Sequence, residues 1–173
     1  MRLPNPILLA GLTAILAGLS GCRTTSSSPD SRPLVASVEE SSSRHTIVTA
    51  RSEDGSEIRV SASAEPYRPD SHGAIVNDAG VPETVLKEFR VTIDGNNVSP
   101  PATQFAGFAD PHVGRGFEPI RIESYTGGFQ VYLSGGDGGA SHGRRFVFSK
   151  SAWVRTEYRD YITGEYRSLA GRR

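Results

Sequence analysis

Ile120-Arg121-Ile122-Glu123-Ser124-Tyr125, then Thr126-Gly127-Gly128, then Phe129-Gln130-Val131-Tyr132-Leu133, is the stretch from which the fold is read. Apolar and polar residues alternate in both arms, the period of a strand with one buried face. The central glycines supply the positive φ that a tight reversal needs. The stretch is therefore a β-hairpin. Downstream the pattern repeats. The loop Ser134–Gly143 (SGGDGGASHG) leads into Arg145-Phe146-Val147-Phe148, Ser149-Lys150-Ser151 turns, and Ala152–Tyr158 carries Trp153 in a further strand. Arg159-Asp160 turns again, and Tyr161–Leu169 is expected to add a last, ragged strand. Consecutive strands joined this closely predict a meander.

Upstream, Thr46–Ala50 and Glu57–Ser61 flank Glu53-Asp54-Gly55-Ser56, in which Asp-Gly is the strong hairpin pair. Val85, Phe89, Val91 and Ile93 recur at even spacing before the turn Asp94-Gly95-Asn96-Asn97, and Val98 resumes a strand that Pro100-Pro101 stops. Residues 65–82 and 102–119 are punctuated by Pro and Gly and are expected to be long loops. Phe105, Phe108 and Phe117 are expected to plug the core from the second. Residues 44–173 thus read as a mainly β, single antiparallel sandwich or open barrel with long Gly/Pro-rich loops.

The N-terminus has a different character. Ile7 to Leu19 (ILLAGLTAILAGL) carries no charge. It is shorter than the roughly 20 residues a spanning helix needs and fits the apolar region of a secretory signal. Leu19-Ser20-Gly21-Cys22 follows, and Cys22 is the chain's single cysteine. This resembles the lipobox of bacterial lipoproteins. The resemblance covers residues 1–22 and implies cleavage after Gly21, diacylglyceryl attachment to the Cys22 thiol and acylation of the new N-terminus with palmitate-type chains. Each buried CH₂ contributes about 0.8 kcal/mol, so two or three chains hold firmly. An Asp after the cysteine would mark inner-membrane retention; Arg23 stands there instead. The expected location is therefore the cell envelope, periplasmic and lipid-anchored, with the outer membrane favoured where the organism has two. Residues 22–43, rich in Ser, Thr and Pro, read as a flexible linker between anchor and domain.

Nineteen basic residues balance nineteen acidic ones, which argues against a nucleic-acid partner. With Cys22 acylated no thiol is left for a disulfide, a nucleophile or a metal, and no cofactor is expected. Gly139-Ala140-Ser141-His142-Gly143 has the letters of a nucleophile elbow, but that device needs a strand, a sharp turn and then a helix, and Arg144–Phe148 reads as a strand. A P-loop fails for the same reason. A softer reading survives: backbone N–H groups in a Gly-rich turn can form an anion nest. Gly136, Asp137, Gly138, Ser141, His142, Arg144 and Arg145 are the candidate ligand- or anion-binding set.

His45, His72, His112 and His142 lack metal-ligand spacing, even with Asp110 near His112, and no metal site is expected. Glu118 and Glu123 are read as solvated rather than as a catalytic pair. Trp153 with Tyr125, Tyr132, Tyr158, Tyr161 and Tyr166 is expected mainly to pack the sheet. The sharper alternative is an exposed aromatic and Arg strip that grips an envelope protein or a glycan. The expectation for function is a membrane-anchored binding or structural module without a catalytic residue. The alternatives are an enzyme of unrecognised type acting through the loop 134–145, or an anion or small-ligand binder at that loop.

Overall fold

The computed structural model describes residues 31–75, 80–117, 120–136, 141–159 and 164–168. Cys22, Asp137 and Gly138 lie outside them. The strands are β1 (Arg32–Pro33), β2 (Ala36–Ser41), β3 (His45–Arg51), β4 (Glu57–Pro66), β5 (Thr84–Ile93), β6 (Asn96–Asn97), β7 (Arg121–Tyr125), β8 (Gly128–Gly135), β9 (His142–Ser149), β10 (Trp153–Arg159) and β11 (Tyr166–Ser168). They form two antiparallel sheets, in the orders β1-β7-β8-β9-β10-β11 and β2-β3-β4-β5-β6. The sheets face one another as a sandwich, and β7 to β11 run as the expected meander.

The alternation seen in the hairpin at 120–133 is what lays down the core. Phe129, Val131 and Leu133 of β8 point inward, while Tyr132 and Ser134 face out. Across the gap, Val48 and Ala50, Ile58 and Val60, and Phe89, Val91 and Ile93 supply the opposite face. Phe89 and Phe146, from different sheets, stack with centroids 4.3 Å apart. Phe129 and Phe148 stack as a cross-strand pair.

Three readings change on folding. The first is the linker. Residues 32–41, whose composition reads as tether, give an edge strand to each sheet: Arg32 pairs with Ser124, and Ala36 with Ala50. The domain therefore begins by Arg32, not Arg44. Leu34, between the two strands, donates its N–H to the Ile122 carbonyl at 3.0 Å and packs on the core. Two short edge pairings and one apolar anchor suffice because the neighbouring strands already present open ladder groups.

The second is the even spacing in β5. A bulge opposite Ser63 and Ala64 inserts one residue. As a result Leu86 joins the cluster between the sheets, while Val85, also buried, falls outside that cluster and its backbone bridges Ala109. The third is the phenylalanines of the second long loop. Phe105 and Phe108 are buried, whereas Phe117 stays 47% exposed.

The sandwich has two unlike ends. The turns at 52–56, 94–95, 126–127 and 149–152 lie together at one end, the short-turn end. The segments 67–75, 80–83 and 102–117 and the facing ends of β8 and β9 lie at the other, the loop end.

Phe146→Ala should cost about 3–5 kcal/mol, the usual range for a fully buried aromatic. Phe117→Ala should cost well under half of that. Urea unfolding of both variants checks the ordering.

Candidate functional site

At the loop end the run 108–112 lies between β5 and β8, held by backbone hydrogen bonds to both strands and by side chains. Asp110 adopts φ 40°, a left-handed conformation that its short polar side chain tolerates. Its Oδ1 accepts the N–H groups of Glu83 and Thr84, both at 2.9 Å, and so fastens the start of β5. Its carbonyl accepts the Gly136 N–H at 2.9 Å. Gly135 has to be glycine: a Cβ there would lie 2.8 Å from the carbonyl oxygens of Ala109 and Asp110.

Two histidines complete the arrangement. His142 Nε2 donates to the Ala109 carbonyl at 2.7 Å, its ring edge-on to Phe108. His112 Nε2 donates to the Gly136 carbonyl at 2.7 Å, and its ring stacks on Phe117. A carbonyl only accepts, so each Nε2 carries a hydrogen. In neutral His112, Nδ1 is then an acceptor, and it receives the hydroxyl of exposed Ser134 at 3.1 Å. A serine against an oriented imidazole is the geometry of an activated nucleophile. Here the orienting group is a backbone carbonyl, and the nearby Gly136 N–H is committed to Asp110. No sequence signal marks this pair, because 22 residues and a sheet edge separate its members.

The glycine-loop set predicted from sequence does not converge as a unit. Gly136 and His142 join the loop-end network. Arg144 and Arg145 are adjacent on β9 and so face opposite ways. Arg144, half-buried, donates to the Gln104 carbonyl at 2.7 Å and lies over the Phe108 ring; burial pulls its guanidinium down to about 10. It has no carboxylate partner among the described residues. Arg145 turns to the outer face, where it pairs with Glu157 and covers Tyr166. Ser141 stands at the end of the connection and is hydrogen-bonded or otherwise engaged.

The outer face of the larger sheet is a second cluster. Glu157 receives both Arg145 and Arg155, and Glu123 receives Arg121 at 2.9 Å and Gln130 at 3.3 Å. Arg121 lies 4.2 Å over Tyr132, and Arg145 lies 4.0 Å over Tyr166. Burial raises both tyrosines above their usual range. Of the aromatic set expected from sequence, Trp153 packs against the core, Tyr161 lies outside the described residues, and on the outer face Tyr132 and Tyr166 each carry an arginine over the ring. That removes the stacking surface a sugar would use.

The third feature is a groove of about 580 Å³ between the sheets at the short-turn end. Its floor includes Ile58 and Phe129, and its rim carries Arg32, Glu53, Asp54 and Lys150. Lys150 Nζ reaches Asp54 at 2.9 Å and ties the turns of the two sheets together.

Among the described residues no group of three or more His, Cys, Asp or Glu gathers as a metal site, and no helix is long and apolar enough to cross a membrane. No family model, no curated protein and no solved structure matches this chain.

Hydrogen bonds from Ser52, Lys150 and Ser56 hold the Asp54 carboxyl far below its ordinary 3.8. A folded-state pKa below the unfolded value adds stability above the unfolded pKa and loses it as pH falls. Asp54→Asn should therefore lose less stability than the native chain between about pH 5 and pH 3. Added salt should shrink the difference, because the pair is exposed. Urea midpoints across that range check it.

Proposed function

We propose that this chain is an acylated envelope lipoprotein whose β-sandwich serves as a binding module. One observation carries the reading: Leu19-Ser20-Gly21-Cys22 closes an uncharged run and supplies the chain's single cysteine. Acyl chains on that thiol would hold the domain at a bilayer surface. The sandwich supports the role by offering its loop end and its polar outer faces to a partner. With Tyr132 and Tyr166 covered by arginines, a protein partner in the envelope is favoured over a glycan. Arg121 and Arg155, 58% and 50% exposed, are the charges that this face offers it. In cells, Cys22→Ser should leave residues 1–21 uncleaved and prevent acylation, detected as a slower-migrating form that incorporates no labelled palmitate. A variant trimmed and labelled like the native chain would refute the anchor.

A second reading, an enzyme acting through the loop end, is favoured by the contact of Ser134 Oγ with His112 Nδ1. Under it, a fluorophosphonate should label the native chain, and Ser134→Ala should abolish the labelling. A native chain that stays unlabelled removes this reading.

A further inference from the structure

The edge strands fix the direction in which the chain joins the sandwich. β1 runs antiparallel to β7, with Arg32 opposite Ser124 and Pro33 opposite Glu123. β7 runs toward the 126–127 turn, so β1 begins at the short-turn end and points away from it. β2 repeats this sense: Ala36 pairs with Ala50 beside the 52–56 turn, and Ser41 pairs with Thr46 at the far end. Whatever precedes Arg32 therefore leaves the domain at the short-turn end, next to the groove that Arg32 helps to line.

Only residues 23–31, RTTSSSPDS, separate Cys22 from Arg32. Fully extended, the ten steps from Cys22 to Arg32 span at most about 33–36 Å. The sandwich is about as long as that, since the ten residues of β4 run its length at about 3.3 Å each. For the loop end to touch the bilayer, Arg32 would have to stand a whole sandwich length away with the tether stretched to its limit. That arrangement costs the chain nearly all its conformational freedom. The opposite orientation costs almost none.

We infer that the short-turn end is the membrane-facing surface of this protein, and that the partner it meets is the lipid headgroup layer. This rests on the acylated-anchor reading above. The rim chemistry fits: Arg32 and Lys150 stand beside Glu53 and Asp54, a neutral mixture of both signs that neither repels nor strongly attracts a zwitterionic headgroup layer. The loop end, with Ser134, His112 and Arg144, is thereby turned away from the membrane and toward soluble or opposing partners.

Trp153 is the single tryptophan and sits beside the 149–152 turn, at the short-turn end. It is a built-in reporter. The chain from Cys22 onward, which contains every described residue, is coupled through its thiol to a maleimide lipid in phosphatidylcholine vesicles carrying headgroup nitroxides. Chemical coupling makes the result independent of whether cells acylate Cys22, so failure here and failure of the anchor are separate outcomes. Trp153 emission should be quenched relative to nitroxide-free vesicles. Quenching should be several-fold weaker when the reporter is moved to exposed Ser71 at the loop end, in a Trp153→Phe, Ser71→Trp chain. Unquenched Trp153 in the native chain, or quenching equal or stronger at position 71, would overturn the orientation. The native-chain comparison stands even if the double variant fails to fold.

Discussion

The stack of Phe89 on Phe146 is the contact on which the rest of the sandwich depends. It joins the two sheets through β5 and β9, and both side chains are essentially without solvent exposure. Each sheet alone would leave a wide apolar face in water, and burying such faces is the dominant driving force. Phe105 fits edge-on against Phe89, so the second long loop is drawn down onto the same core. Phe108 follows it and sets the position of Ala109 and Asp110, which in turn organise the loop end. The polar network around His112 and His142 is therefore a consequence of aromatic packing one layer below.

The edges are handled differently on the two sheets. The larger sheet ends in strands of only two and three residues, β1 and β11. The smaller ends in β2, which is longer but carries Glu39 and Glu40 and a bulge between Val38 and Glu40. Short edges, charges and bulges all discourage pairing with another chain. Glu39 is also engaged on the sheet face, where Thr49 and Arg59 bond its two oxygens. The same ten residues also set the end of the sandwich at which the chain enters the fold. Edge protection and the direction of chain entry are thus one piece of chain.

The two ends have divided their chemistry. The short-turn end is held by hydrogen-bonded carboxylates and a lysine clasp across the sheets. The loop end is held by imidazoles donating to backbone carbonyls, and by an aspartate that caps a strand start. The second arrangement commits side chains that could do chemistry to holding the segment 108–112, whose backbone also bridges β5 and β8. It also leaves Ser134 beside an oriented base and Arg144 without a carboxylate among the described residues.

The β class, the hairpins and the meander were legible in the sequence, because a period of two needs no knowledge of what lies opposite. The uncharged run that ends at Cys22 is likewise a local pattern of the sequence. Three features were not legible. A bulge in β5 depends on the partner strand, so the sequence could not say that Leu86 rather than Val85 joins the cluster between the sheets. Residues 32–41 look like tether by composition, and only the open edges of β7 and β3 turn them into strands. Arg144 and Arg145 stand side by side in sequence and belong to one candidate anion-binding set, yet the pleat sends one beneath the loops and the other to the outer face. Local periodicity determined what each segment is; tertiary structure alone decided who its neighbours are, because pairing and burial are properties of contacts between residues far apart in the chain.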